Sequence, residues 1–240
     1  MHSIAYDAAH DEFTVPQQFG QAILTFRGGA NGEEAPIRVI QGPQTQLRDP
    51  DRLDVDPVHD EIFVPEGYGV LVFRRGASGD VAPLRILKGP AEQSFNAQAV
   101  AVDPIHNLLV VGGSAGRGQT RMFIFNRTDE GNAAPKAVIG GPKSGLQSIG
   151  GPFAVYAPKQ EIVVSVRGGG EYAELSSEES FVGVWSEQDN GDVPPKWTIG
   201  GPNGVLRMPR GIALDPKNKT MMVSDKRLNS VLTFSFPEMF

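Results

Sequence analysis

The sequence predicts an all-β fold, a five-bladed β-propeller of four-stranded antiparallel blades, on three observations. A proline phrase recurs four times at near-regular spacing. Short Val-, Ile- and Phe-rich runs recur with it in a fixed order. No stretch of ten or more residues keeps the 3.6-residue apolar period of a helix.

The phrase reads Ala35-Pro36-Ile37-Arg38-Val39-Ile40-Gln41-Gly42-Pro43, then Ala82-Pro83-Leu84-Arg85-Ile86-Leu87-Lys88-Gly89-Pro90. It returns as Ala134-Pro135-Lys136-Ala137-Val138-Ile139-Gly140-Gly141-Pro142 and Pro194-Pro195-Lys196-Trp197-Thr198-Ile199-Gly200-Gly201-Pro202. The proline at its second position falls at 36, 83, 135 and 195, so the spacings are 47, 52 and 60 residues. Each phrase supplies an outer strand, D. Asn31-Gly32, Ser78-Gly79, Glu130-Gly131 and Asn190-Gly191 precede the four copies, and glycine there provides the positive φ of a tight turn.

Three further strand types recur five times. Strand A ends at Asp7, Asp56, Asp103 and Asp215, with Ala157 in the degenerate fourth copy. Strand B is carried by Phe13-Thr14-Val15, Ile62-Phe63-Val64, Leu109-Val110-Val111, Ile162-Val163-Val164 and Met221-Met222-Val223. Strand C is carried by Ile23-Leu24-Thr25-Phe26, Leu71-Val72-Phe73, Phe123-Ile124-Phe125, Val182-Gly183-Val184-Trp185 and Leu232-Thr233-Phe234. Runs this short, bounded by Gly, Pro, Asn or Asp, read as strands. A four-stranded unit of this length repeated around an axis is a propeller blade. The blades span 3–42, 51–89, 98–141, 152–201 and 210–240, in one domain over 1–240.

Blade 5 lacks strand D. The expectation is that this strand lay upstream of Met1 and was removed with a signal segment, which leans the reading towards an exported protein. An unpaired C edge there invites a strand from another chain, so the expected state is a monomer or an edge-mediated dimer.

Composition narrows the chemistry. Zero Cys excludes disulfides, thiolate metal sites and thiol nucleophiles. A net charge of −6 argues against nucleic acid and anionic membranes as partners. No apolar run approaches the roughly 18 residues of a membrane-spanning helix.

Blade 5 carries a family resemblance. Leu206-Arg207-Met208-Pro209-Arg210-Gly211-Ile212-Ala213-Leu214-Asp215, followed by Met222-Val223-Ser224-Asp225-Lys226-Arg227-Leu228-Asn229-Ser230-Val231-Leu232-Thr233-Phe234, resembles the NHL-repeat pattern. The other four copies are degenerate, and five blades depart from the usual six. The resemblance implies a propeller. It implies a function only broadly, because such propellers include protein-binding domains, RNA-binding domains and lactonase-like enzymes.

Residues that repeat at one place in several blades read as structural. His10, His59 and His106 each follow the strand A Asp by three positions, and Asn218 replaces them in blade 5. That pattern fits a turn better than a metal site. Arg38 and Arg85 read as solvated outer-strand residues.

Residues that break the pattern are candidates for function. Strand A carries Ala5, Ala101, Val155 and Ala213 at its centre, but Asp54 in blade 2, with Arg52 on the same face. The B–C loops of blades 3 and 4, Gly112–Arg121 and Arg167–Ser180, are long and adjacent. They bring Arg117, Arg121, Arg167 and Tyr172 to the face shared with the D–A loops. The reading is a non-catalytic binding scaffold that recognises a protein or small ligand on this face. The alternative is a metal-dependent lactonase or esterase-like hydrolase at the axis. It would use one divalent cation such as calcium, with Asp54, Asp225, Glu66 and Asn96 as candidate ligands.

Overall fold

The computed structural model describes residues 3–89, 95–115, 119–149, 151–168, 180–201 and 203–240. These residues form five small antiparallel sheets arranged as a five-bladed propeller. Blade 1 contains β1 (Ala5–Asp7), β2 (Glu12–Gln17), β3 (Ala22–Arg27) and β4 (Arg38–Gln41). Blade 2 contains β5 (Asp54–Asp56), β6 (Glu61–Glu66), β7 (Gly69–Arg74) and β8 (Arg85–Leu87). Blade 3 contains β9 (Phe95–Asp103), β10 (Leu108–Ala115), β11 (Gln119–Asn126) and β12 (Ala137–Ile139). In blade 4 strand A is split into β13 (Ser148–Ile149) and β14 (Ala154–Tyr156), which both pair with β15 (Glu161–Arg167). Then come β16 (Phe181–Ser186) and β17 (Trp197–Gly200). Blade 5 has three strands, β18 (Pro209–Asp215), β19 (Thr220–Asp225) and β20 (Ser230–Ser235). The described helical structure amounts to two single 3-10 turns, Pro43–Thr45 and Ala157–Lys159.

Why continuous apolar runs form inner strands is visible in blade 2. Every residue of β6, and all but the last of β7, is buried, because a neighbouring blade covers each sheet face. In β20 exposed and half-buried residues alternate instead, as for a strand with one bare face.

The core is divided among the blade junctions. Ile23, Ile40, Leu71 and Phe73 fill the junction of blades 1 and 2. Phe63, Val72, Phe123 and Phe125 fill the next. Val110, Ile124, Val164 and Trp185 join blades 3 and 4, and Val163, Val184, Met221 and Phe236 join blades 4 and 5. Among the described residues no buried cluster spans blades 5 and 1. The inner strands of blades 1 to 5 pack each on the next, whereas β18 has no comparable contact with β1. The ring is a chain of four sealed junctions and one open seam.

Backbone latches reinforce three of those junctions. Ile40, Leu87 and Ile139 of the D strands make parallel bridges to Gly79, Gly131 and Gly191 in the C–D turn of the following blade. These glycines have φ of 84°, 59° and 87°, the left-handed region where glycine carries no steric cost. Among the described residues blade 5 has no such turn. Its tail folds under blade 4 instead, where Phe236 meets Trp197 at 6.1 Å and Phe240 meets Tyr156 at 5.0 Å, both edge to face.

Two sequence expectations change. The Gly112–Arg121 stretch is not an open loop. β10 runs to Ala115 and β11 starts at Gln119, so the stretch is mostly a long hairpin. Gly112 and Gly113 are there for close approach rather than flexibility. A Cβ on Gly112 would overlap the Phe153 ring, and one on Gly113 the Asn96 carbonyl. Blade 3 therefore begins at Phe95, and the first piece of blade 4 at Ser148, earlier than the repeat suggested. Gly112→Ala is expected to lower stability by about 1–3 kcal/mol through overpacking, read as a lower thermal midpoint.

Candidate functional site

The A strands line a central channel of about 380 Å³. Among the described residues Asp54 is the one carboxylate on its wall, beside Ala5, Val155, Ala213 and other mostly apolar side chains. Asp54 Oδ1 accepts the Val55 amide at 2.9 Å, and Oδ2 accepts the Val102 amide of blade 3 at 2.9 Å. Desolvation on the channel wall outweighs these two bonds and pushes the Asp54 carboxyl up to about 6.

Arg52 does not pair with Asp54. Its Nη1 donates to the Gln98 carbonyl at 2.7 Å, and Asp51 lies at 3.9 Å from its Nε. The two departures of blade 2 thus grip strand A of blade 3 at two points, Gln98 and Val102. Arg52 is 9% exposed, and burial, with Arg210 adding repulsion, holds its guanidinium below the usual arginine range.

The remaining candidates lie further out. Arg167 ends β15 and donates from Nη2 to Ser148 Oγ at 3.2 Å and towards the Ile149 carbonyl at 3.5 Å. It anchors the D–A segment of its own blade. At the matching strand ends of blades 2 and 5 the polarity is reversed. Glu66 accepts the Arg48 and Asp49 amides, and Asp225 accepts the Arg207 and Met208 amides. Asp225 takes the Arg227 and Leu228 amides as well. Arg121 reaches Gln119 at 2.9 Å on the exposed start of β11. Arg117 and Tyr172 lie outside the described residues. The carboxylates of Glu66, Asp225 and Asp54 are each engaged by backbone amides, two of these groups by their own D–A loops.

A feature not expected from the sequence is the open seam. A cavity of about 630 Å³ lies there, lined by Ile4 and Val15 of blade 1 and by Arg210, Ile212, Met222 and Val231 of blade 5. A second hollow of about 520 Å³ adjoins it, with Arg210, Lys226 and Asn229 on its wall. Val231 of β20 and Ile4, just before β1, are 67% and 66% exposed although both are aliphatic. The signal was present only as the missing strand D of blade 5.

The opposite face carries the A–B turns. Asp7, Asp56 and Asp103 each accept the backbone amides two and three residues on, and each meets its histidine Nδ1 at 2.7–2.8 Å. Asp215 and Asn218 repeat the arrangement at 2.6 Å. This is the geometry of a turn.

Two of these turns also belong to an ion-pair hub between blades. Glu61 at the start of β6 accepts Arg85 of its own blade at 2.5 and 2.8 Å and Arg127 of blade 3, and Arg127 lies 3.6 Å from Asp56. Glu12, Arg38, Arg75 and Asp7 repeat the hub one junction earlier. Arg38 and Arg85, expected to be solvated, are ion-paired and largely covered, because the next blade closes over them. At the junction of blades 3 and 4 the corresponding residues are Leu108, Ala137 and Glu187. There Asp103, His106 and Glu187 stand together with ligand atoms within 4.8 Å of one another. Burial first, and the Asp103 carboxylate second, push Glu187 up to about 8.

No protein-family model and no curated protein matches this sequence. The NHL-repeat family is therefore left as a resemblance in blade 5. Solved structures match through the fold, and 435 chains do so, too many for the fold to select a function. A chain from the crystal structure of a nidogen/laminin complex superposes with a TM-score of 0.64 at 11% identity, covering 99% of this chain and 76% of that one. A chain of the hydrazine synthase of Kuenenia stuttgartiensis superposes with a TM-score of 0.67 at 12% identity, covering 98% of this chain and 64% of that one. At these identities the likeness is one of β-propeller fold.

Proposed function

We propose that the chain is a non-catalytic binding scaffold that holds a polypeptide segment on the face made by its D–A and B–C loops. The observation that carries this reading is the open seam. It is an apolar groove of about 630 Å³ with Arg210 among its lining residues, large enough for two or three side chains. Lys226, exposed on the adjoining hollow, adds a second positive charge. The fitting occupant is an extended segment with an aliphatic or aromatic side chain flanked by carboxylates. A propeller chain of similar fold in a nidogen/laminin complex supports protein binding as a use of the architecture.

The test is a fluorescence-anisotropy panel of eight-residue peptides that combine Leu, Ile or Phe with Glu or Asp, with Lys replacing the acids as control. Acidic-apolar peptides should bind, and Arg210→Glu should weaken them at least tenfold without changing the thermal midpoint by more than a few degrees. Equal binding of acidic and basic peptides, or binding indifferent to Arg210→Glu, would overturn the reading.

A further inference from the structure

We propose that Asp103, His106 and Glu187 hold one divalent transition-metal ion at the junction of blades 3 and 4. The argument starts from what the same place contains elsewhere in the ring. At the two preceding junctions the Asp–His turn faces a guanidinium of the next blade, Arg75 beside Asp7 and Arg127 beside Asp56, each 3.6 Å from the Asp Oδ2. Both arginines follow strand C directly, and so does Glu187. The swap reverses the charge that faces Asp103 and brings two carboxylates together where a carboxylate and a cation stand elsewhere.

Three observations indicate that a cation belongs there. Glu187 is 4% exposed, and neither of its carboxylate oxygens makes a hydrogen bond of good geometry, the nearby Gln160 side chain favouring the charged form less than burial and Asp103 oppose it. A buried carboxylate without a partner is costly, and native proteins satisfy such groups with an ion or a proton. Asp103 is fully buried, with Oδ1 taken by two amides and Oδ2 turned to the imidazole. The rest of the hub has been lost along with the arginine. Leu108 replaces the strand B glutamate and Ala137 the strand D arginine, so no side-chain cation is left at those places.

The donor set indicates the type of ion. Two carboxylate oxygens and one imidazole nitrogen suit zinc, manganese, iron or nickel. Calcium, which takes six to eight oxygens, fits poorly. The His106 side chain is 35% exposed, which leaves an entry path and room for water to complete the coordination. The site lies on the face opposite the seam groove and is independent of the binding reading.

The full chain, purified without a polyhistidine tag and stripped with a chelator, is titrated with zinc chloride by calorimetry, with bound zinc counted by elemental analysis. One zinc per chain is expected. Glu187→Gln and His106→Ala should each weaken uptake at least tenfold, and Glu187→Arg should abolish it. His59→Ala, at the turn already facing Arg127, should leave it unchanged. No uptake by the wild type would overturn the proposal and favour a proton shared between Asp103 and Glu187. Uptake surviving both Glu187 variants, or lost equally in His59→Ala, would overturn it too.

Discussion

Glu61→Ala should destabilise the protein by about 3–5 kcal/mol, the usual cost of removing one partner from a buried ion-pair network. Glu61 is the acceptor on which two blades converge. Arg85 comes from its own outer strand and Arg127 from blade 3, and both side chains are about nine-tenths covered. Burial alone raises the Glu61 carboxyl, but the two guanidiniums outweigh it and hold it below the usual carboxylate range. Truncation would leave both cations desolvated, with Asp56 the one remaining anion 3.6 Å from Arg127. A urea titration should show the midpoint falling at unchanged slope. Blade 3 provides the control, because Leu108 and Ala137 occupy the equivalent places without any ion pair. Replacing the whole hub, with Glu61→Leu, Arg85→Ala and Arg127→Met combined, should recover most of the loss, since well-packed apolar groups are often as stable as a buried ion pair. If Glu61→Ala alone proved neutral, the hub would be surface decoration rather than a junction.

The same comparison of blades explains what could be read from the sequence. Strand order, blade number and the absent outer strand of blade 5 followed from repeated short runs, because each run buries the same face in each blade. The Asp–His turns were legible for the same reason, since Asn218 in blade 5 makes the same contacts to Asp215 that the histidines make to their aspartates. What stayed hidden were contacts made between blades. Arg38 and Arg85 looked solvated because the glutamates they meet begin strand B, 26 and 24 residues earlier, and the arginines that complete each hub follow strand C of the next blade. Gly112 read as part of a long loop because its reason, the Phe153 ring, comes from the next blade. The change from Arg75 and Arg127 to Glu187 was visible in an alignment of the repeats. Its meaning needed the spatial fact that this position faces the preceding Asp–His turn. The open seam follows a similar logic, because only the fold shows that β18 and β1 do not close on one another.

Asp54 provides the second large effect, and its sign separates it from the hub. Its carboxyl is raised from 3.8 to about 6 in the folded protein. Between these values the native state binds more proton than the unfolded chain, so stability falls as pH rises. A shift of about two units corresponds to roughly 3 kcal/mol, lost between about pH 4 and pH 6 and not regained above. Asp54→Asn removes the ionisation, so the variant's stability relative to wild type should climb across that window and level off above about pH 6.5. The slope belongs to Asp54 only if it appears in the difference between the two proteins, because every other ionisable group is common to both. The amide also cannot accept both the Val55 and Val102 hydrogens, so part of the gain is offset at every pH by one broken backbone bond. A flat difference across pH 4–6 would mean that the channel is wet enough to solvate the carboxylate. A climbing difference with peptide binding unchanged would make Asp54 a clamp between blades 2 and 3 whose ionisation the ring tolerates at neutral pH.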